Sequence, residues 1–280
     1  MLKRVFAVHD ISGIGKCSLT AAIPVISAAG IECNPVPTAV LSSHTGNLSG
    51  YTFRDLTSDL KAYCSQWKEL GIKPDGIYTG YLGSALQVEI VKEILNMFSQ
   101  DKPLIVVDPA MADEGELYKG FDSAFPDEMK SLCEVADVIV PNLTEASLLT
   151  GMPYSKKYDR EYIAGIAESL SPFTGRYIVL TGLSYSDDKI GCLVYDKTNG
   201  ESYELFSTRF PGIYYGTGDI FASVLTSALI KGLDIVSSAQ VALEFTSICI
   251  ETTYKEQTDP RFGVALEKHL PYICTKLGGI

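Results

Sequence analysis

The sequence predicts an α/β protein, a three-layer α-β-α arrangement around a mostly parallel central sheet, built as one domain over residues 1–280. Three observations predict it. Short β-branched runs alternate with helix-length segments along the chain. The runs are continuously apolar, as in strands buried on both faces. Polar or turn residues follow each run, and in an open α/β sheet the ligand edge lies at the carboxyl ends of the strands.

In chain order, the run 5–8 is the first strand and exits at His9-Asp10, and a glycine turn then leads to a helix near 17–29. A strand at 36–41 enters the loop Ser43-His44-Thr45-Gly46. A helix over about 54–70 precedes Ile77-Tyr78, which exits at Thr79-Gly80. A helix near 84–99 precedes the run 104–107, which exits at Asp108-Pro109. After a helix near 124–135, the run 138–140 exits at Pro141-Asn142. Helices near 144–150 and 159–170 lead to the run 178–180, which exits at Thr181-Gly182. Two strand-like stretches near 190–206 come next, then long apolar helices at about 218–231 and 235–255. Turn residues are needed at such connections anyway, so the exits mark an edge without naming its chemistry.

Composition excludes several classes. Hydrophobic residues make up 46 % and charged residues 20 %, enough apolar material for a sizeable core. The net charge of −11 repels phosphate backbones, which argues against a nucleic-acid partner. No apolar run approaches the ~20 residues that cross a bilayer, so no membrane association is expected. Lys3-Arg4 is followed by Asp10 inside what would be a signal peptide's apolar region. Seven cysteines, at 17, 33, 64, 133, 192, 249 and 274, are odd in number and lack a C-x-x-C pair. That pattern argues against a disulfide framework or a zinc site and sets the expectation of a cytoplasmic protein.

Five segments carry possible chemistry. Gly13-Ile14-Gly15-Lys16-Cys17-Ser18 is not a phosphate loop, because that motif needs glycine at 10 and Ser or Thr at 17, where the chain has Asp10 and Cys17. A third glycine at 18, needed for a dinucleotide fingerprint, is missing too. What remains is either a flexible glycine turn with Asp10 and Ser12 at its mouth or a tight connection with Ser18 capping the helix, and the segment alone does not choose between them. In Gly216-Thr217-Gly218-Asp219 the glycines leave backbone N–H groups unshielded before a buried helix, a cradle for an oxyanion. Asp219 beside it could take the proton of a substrate hydroxyl attacking phosphorus, or merely complement the helix dipole. Asp108 and Asp113 follow a buried strand, where hard oxygen ligands suit Mg²⁺. Asn142 with Glu145 reads as a near capping box whose geometry also points both residues toward the ligand edge. His44 has no partner suggesting a triad, Thr45 and Gly46 offer a hydroxyl and a backbone N–H, and core packing is the default for Tyr78, Tyr81, Tyr118, Tyr214 and Tyr215.

Together these segments resemble the pyridoxal/pyridoxamine (vitamin B6) kinases of the ribokinase-like superfamily. The resemblance rests on Ser42-Ser43-His44-Thr45-Gly46, Thr79-Gly80-Tyr81-Leu82-Gly83-Ser84, Val107-Asp108-Pro109-Ala110-Met111, Pro141-Asn142-Leu143-Thr144-Glu145 and Gly216-Thr217-Gly218-Asp219, and it spans nearly the whole chain. It implies a ribokinase-like fold and transfer of the γ-phosphoryl of MgATP to the 5′-hydroxymethyl group of pyridoxal, pyridoxamine or pyridoxine. By position it implies Asp219 as base and Gly216, Thr217 and Gly218 as anion hole. Asp10, Ser12, Thr45, Gly46, Tyr81 and Tyr118 would meet the vitamer. Asp113, Asn142, Glu145, Thr181, Gly182 and Arg209 would meet ATP, and Asp108 with Glu145 would organise Mg²⁺. The family also implies a homodimer and a response to a monovalent cation such as K⁺.

One departure bears on the substrate. Where the family carries a serine after the first strand, this chain has Asp10, which can pair with a protonated ring nitrogen or an amino group. The stretch Asp10-Ile11-Ser12-Gly13 also resembles hydroxymethylpyrimidine kinases of thiamine synthesis. A non-catalytic vitamer-binding module is the reading from a different class. It has no need of a base beside a phosphate-sized cradle.

Overall fold

The computed structural model describes residues 2–46 and 48–278. The chain opens with β1 (Arg4–Ser12), α1 (Ser18–Ala28), β2 (Glu32–Leu41), β3 (Phe53–Asp55) and α2 (Thr57–Glu69). It continues through β4 (Gly76–Thr79), α3 (Ala85–Met97), β5 (Leu104–Val107), the short hairpin β6 (Ala112–Asp113) and β7 (Glu116–Leu117), and α4 (Phe125–Cys133). Next come β8 (Val138–Ile139), α5 (Leu143–Thr150), α6 (Arg160–Leu170), β9 (Tyr177–Ser186), β10 (Lys189–Asp196) and β11 (Glu201–Thr208). Three helices close the chain: α7 (Thr217–Ile230), α8 (Ile235–Glu256) and α9 (Leu270–Leu277).

One nine-stranded sheet runs β11-β10-β9-β8-β5-β4-β1-β2-β3. From β9 to β2 the neighbours are parallel, and antiparallel strands finish both ends. The central strands are apolar on consecutive residues because each face has its own helical layer. Val5 and Ala7 pack toward α1, α7, α8 and α9, whereas Phe6 and Val8 pack toward α2 to α6. Side chains that alternate across a strand therefore meet apolar partners on both sides. Among the described residues no helix is long and apolar enough to cross a membrane.

Some boundaries differ from the sequence expectation. The stretch near 54–70 splits into β3 and α2, because Phe53 to Asp55 pair with β2 as a sheet edge. The hairpin at 112–117 and α9 carried too few residues to show a period. At α1, Cys17 and not Ser18 is the N-cap, and no side chain caps this end. Ser18 is already helical in position, with φ at 49°, a left-handed conformation in which a serine is strained.

Candidate active site

The chain crosses from one side of β1 to the other between β2 and β4, so the carboxyl ends of β1 and β4 form a topological switch point. The β1–β2 register slips between His9 and Ile11, which places Asp10 at the irregularity. Such bulges re-aim side chains beside ligand sites. Asp10 is 4 % exposed and accepts a hydrogen bond from Ser12 Oγ at 2.9 Å. Burial pushes its carboxyl pKa up, and the hydroxyls of Ser18 and Ser12 counter that shift. Ser18 thus lies beside both carboxyl groups and lowers the pKa of Asp10 and of Asp219.

Gly216 is the N-cap of α7 with φ at 77°, and a Cβ there would stand 1.9 Å from the Lys16 carbonyl oxygen. Only glycine fits such a left-handed turn pressed against another backbone. The first intrahelical bond is donated by Ile220 N–H to Gly216 O at 3.0 Å, so the N–H groups of Thr217, Gly218 and Asp219 precede the helical ladder. Gly218 faces open space, and Thr217 Oγ1 donates to Tyr214 O at 3.0 Å, fixing the turn. With the helix dipole behind them, these amides form an anion cradle. The Asp219 side chain keeps 17 % of its surface exposed at the cradle's edge. Burial is the main reason its pKa is raised to about 7, with the Ser18 N–H lowering it and the Asp10 charge adding to the rise. A carboxylate titrating near neutrality is tuned for general base work.

Across the cavity stands an acidic group. Asp108 sits just past β5, and burial followed by repulsion from Asp219 holds its pKa well above the usual carboxylate range. Glu145, 2 % exposed, is raised in the same way by burial and by Asp108. The capping box that the sequence only approached is complete here: Asn142 Oδ1 accepts from Glu145 N–H at 3.0 Å, and Glu145 Oε2 accepts from Asn142 N–H at 2.8 Å. Glu145 Oε1 also accepts from Met111 N–H at 3.2 Å, and Asn142 Nδ2 donates to Ala112 O at 2.8 Å, which ties the β6–β7 hairpin to α5. Among the described residues no three His, Cys, Asp or Glu side chains could hold a metal ion by themselves. The crowding of Asp108, Glu145 and Asp219 nevertheless fits a divalent cation shared with phosphate oxygens, the usual habit of Mg²⁺.

A cavity of about 330 Å³ joins the cradle to this acidic group, with Asp108, Asp113, Asn142, Glu145, Thr181 and Gly182 facing Gly216 to Asp219. A second hollow of about 510 Å³ continues it, sharing Asp113, Asn142, Thr181 and Gly182 and adding Arg209. Tyr118 lies among the acidic residues of the first cavity. Burial and then Glu145 push its hydroxyl pKa up. Tyr118 thus lines the same cavity as Asp108, Glu145 and Asp219. A larger hollow of about 1130 Å³ lies at the amino ends of the strands, around Lys3, Asp75, Leu104, Asp137 and Arg176. Ligands of parallel sheets bind at the carboxyl ends, so the smaller cavities are the site.

On the β1 side, Asp10 and Tyr81 are near enough for the Asp10 charge to help burial raise the tyrosine pKa to about 12. Tyr81 also packs against Phe121 with ring centroids 5.6 Å apart. Thr45 and Gly46 lie in the loop after β2, and His44 anchors that loop. The Gly46 N–H donates to His44 Nδ1 at 3.1 Å, while Nε2 contacts the Arg261 carbonyl at 2.5 Å and the ring lies 5.2 Å from Tyr215. A Cβ on Gly46 would meet Tyr215 at 2.7 Å, so this loop is pressed against the segment that leads into the cradle. The structure therefore gathers Asp10, Ser12, Ser18 and Asp219 at one centre, with Asp108 and Glu145 opposite. Sequence reasoning missed His9, Ser18, Lys156 and Lys157. The two lysines line the hollow that holds Arg209 and are cations a nucleotide could meet, but an isolated Lys-Lys pair in a loop carries no signature.

The phosphomethylpyrimidine kinase family profile matches residues 15–261. A Bacteroides thetaiotaomicron protein described as a phosphomethylpyrimidine kinase, in a crystal form with pyridoxal, is 37 % identical, with a TM-score of 0.93 over 98 % of this chain and 96 % of that one. Pyridoxal kinase from Lactobacillus plantarum is 33 % identical, with a TM-score of 0.89 over 98 % of both chains. Pyridoxal kinase from Arabidopsis thaliana is 24 % identical over 239 residues, 79 % of this chain and 72 % of that one. With the fold, the cradle and the half-buried aspartate in these places, the chain belongs to the phosphomethylpyrimidine kinase family.

Proposed function

We propose that this protein is a pyridoxal kinase, transferring the γ-phosphoryl group of ATP to the 5′-hydroxymethyl group of pyridoxal, pyridoxamine or pyridoxine. The observation that carries the reading is the Asp219 carboxylate, with a pKa near 7, at the open N-terminus of α7. Asp219 takes the hydroxyl proton as the substrate oxygen forms its bond to the γ-phosphorus and the bond to the ADP oxygen breaks. The amides of Thr217, Gly218 and Asp219 stabilise the charge that develops on the transferring group. Asp108 and Glu145 are the residues that would hold Mg²⁺, which when bound neutralises phosphate charge; Glu145 keeps a free lone pair on each oxygen for a bridging water. Thr181, Gly182, Asp113 and Arg209 border the nucleotide groove, and a response to K⁺ belongs to the same reading.

Asp10, Ser12, Thr45, Gly46 and Tyr81 would hold the heterocycle, with Asp10 accepting from its protonated ring nitrogen. Replacing Asp10 by Ser is expected to raise KM for the vitamer about 10-fold or more, the worth of a hydrogen bond to a charged group, while KM for ATP stays the same. Steady-state kinetics with each substrate varied in turn checks this. The family description favours one second reading, a hydroxymethylpyrimidine kinase. Turnover of ATP with each heterocycle separately decides between them: phosphorylation of B6 vitamers supports the proposal, and phosphorylation of the pyrimidine alone overturns it.

The reading includes a cytoplasmic homodimer. All seven cysteines are free thiols, in keeping with a reducing compartment. Val40 and Phe53 are exposed on the β2–β3 edge and suit a partner surface, and sedimentation equilibrium measures whether two chains associate.

A further inference from the structure

His9 is fully buried within β1, beside its register slip, and neither of its ring nitrogens has a hydrogen-bond partner among the described residues. Buried polar groups are nearly always paired, so an imidazole left open on both sides marks a site with another purpose. Its Nδ1 stands 3.9 Å from Asp219 Oδ1, too far for a hydrogen bond and near enough that a small turn of either side chain would form one. The surroundings are shaped for this ring. A Cβ on Gly80 would lie 2.2 Å from Nδ1, so the neighbouring strand exit tolerates only glycine. Tyr78 holds the ring edge-on at 4.3 Å, and its hydroxyl reaches the Asp219 carbonyl oxygen at 3.4 Å. Burial keeps the imidazole neutral, with its pKa lowered to about 3, so it offers Asp219 an N–H and not a counter-charge.

Building on the kinase reading, we propose that His9 is a positioning residue for the base: its Nδ1–H donates to the Asp219 carboxylate and aims the free oxygen at the substrate hydroxyl. The same N–H would serve no purpose in a protein that only bound a vitamer.

Three substitutions test it. His9→Phe fills the space without a donor, His9→Asn keeps an N–H near the place of Nδ1, and His9→Gln moves the amide toward the place of Nε2. With whichever heterocycle the wild-type enzyme turns over, His9→Phe is expected to lower kcat about 10–100-fold with both KM values little changed, while Tm holds or rises. His9→Asn is expected to recover most of the loss, and His9→Gln is not. An unchanged kcat in His9→Phe overturns the proposal, as does a loss that Asn and Gln repair equally. Should His9→Phe fail to fold, the Asn–Gln comparison decides alone. A wild-type enzyme inactive on every heterocycle overturns the kinase reading itself, whereas an active one indifferent to position 9 overturns only the role of His9.

Discussion

Replacing Asp219 by Asn is expected to lower kcat by about 10²–10⁴-fold, the usual contribution of a positioned general base, while heterocycle binding persists. Asparagine keeps the size of the side chain but carries no charge and cannot take the proton. The same substitution has a second consequence, of opposite sign, for stability. The folded-state pKa of Asp219 is raised to about 7, so folding favours its protonated form. Stability linked to this group is complete below the pKa of an unfolded aspartate and is lost as pH rises through about 7. At pH 8 in EDTA the wild type holds an ionised, partly buried carboxylate that the variant lacks. Asp219→Asn is therefore expected to be more stable than wild type there, by an amount on the order of a few kcal/mol, and to lose that advantage toward pH 4. Kinetics and thermal melts across pH check the two halves. A variant as active as wild type means that another group is the base.

The second large effect belongs to Gly216. Gly216→Ala would need a side chain in a left-handed backbone with its Cβ 1.9 Å from the Lys16 carbonyl oxygen. Either the turn at 214–217 shifts or the 13–18 turn does, and each supplies part of the site. A strained backbone and a forced contact each cost about 1–3 kcal/mol, so melting is expected well below wild type. Displacing the cradle amides is expected to cost a further 10²–10³-fold in kcat, as loss of an oxyanion donor does. Gly165→Ala is the control, because Gly165 lies inside α6, outside the cradle, and a Cβ there meets Met152 at an ordinary 3.9 Å. A Gly216→Ala enzyme with wild-type kcat would show that the turn does not hold the transferring phosphate.

Much of this was legible in the chain because parallel strands and their exits write plainly. The apolar runs at 5–8, 104–107 and 178–180 are strands, and the residues after them meet at one edge. Asp219, Asp108 and Asn142 could be picked out because each follows a recognisable turn or strand end. His9 could not, since a histidine after an apolar run looks like any satisfied core residue until both its nitrogens are seen to lack partners among the described residues. For Ser18 the local pattern offers a cap, the commonest use of serine before a helix, as readily as a place in a flexible turn. Its left-handed backbone, beside the carboxyl groups of Asp10 and Asp219, depends on β1 and α7, which no local pattern encodes. The 112–117 hairpin was lost for a similar reason, because two-residue strands have no period, and the bond from Asn142 that pins it comes from 30 residues away.

The most direct test is a crystal structure of the protein with pyridoxal and a non-hydrolysable ATP analogue. The 5′-oxygen of the heterocycle is expected about 3 Å from the Asp219 carboxylate. The terminal phosphate should rest on the amides of residues 217–219, in line with that oxygen. A hydroxymethyl group pointing away from Asp219, or a terminal phosphate bound elsewhere, would contradict the account.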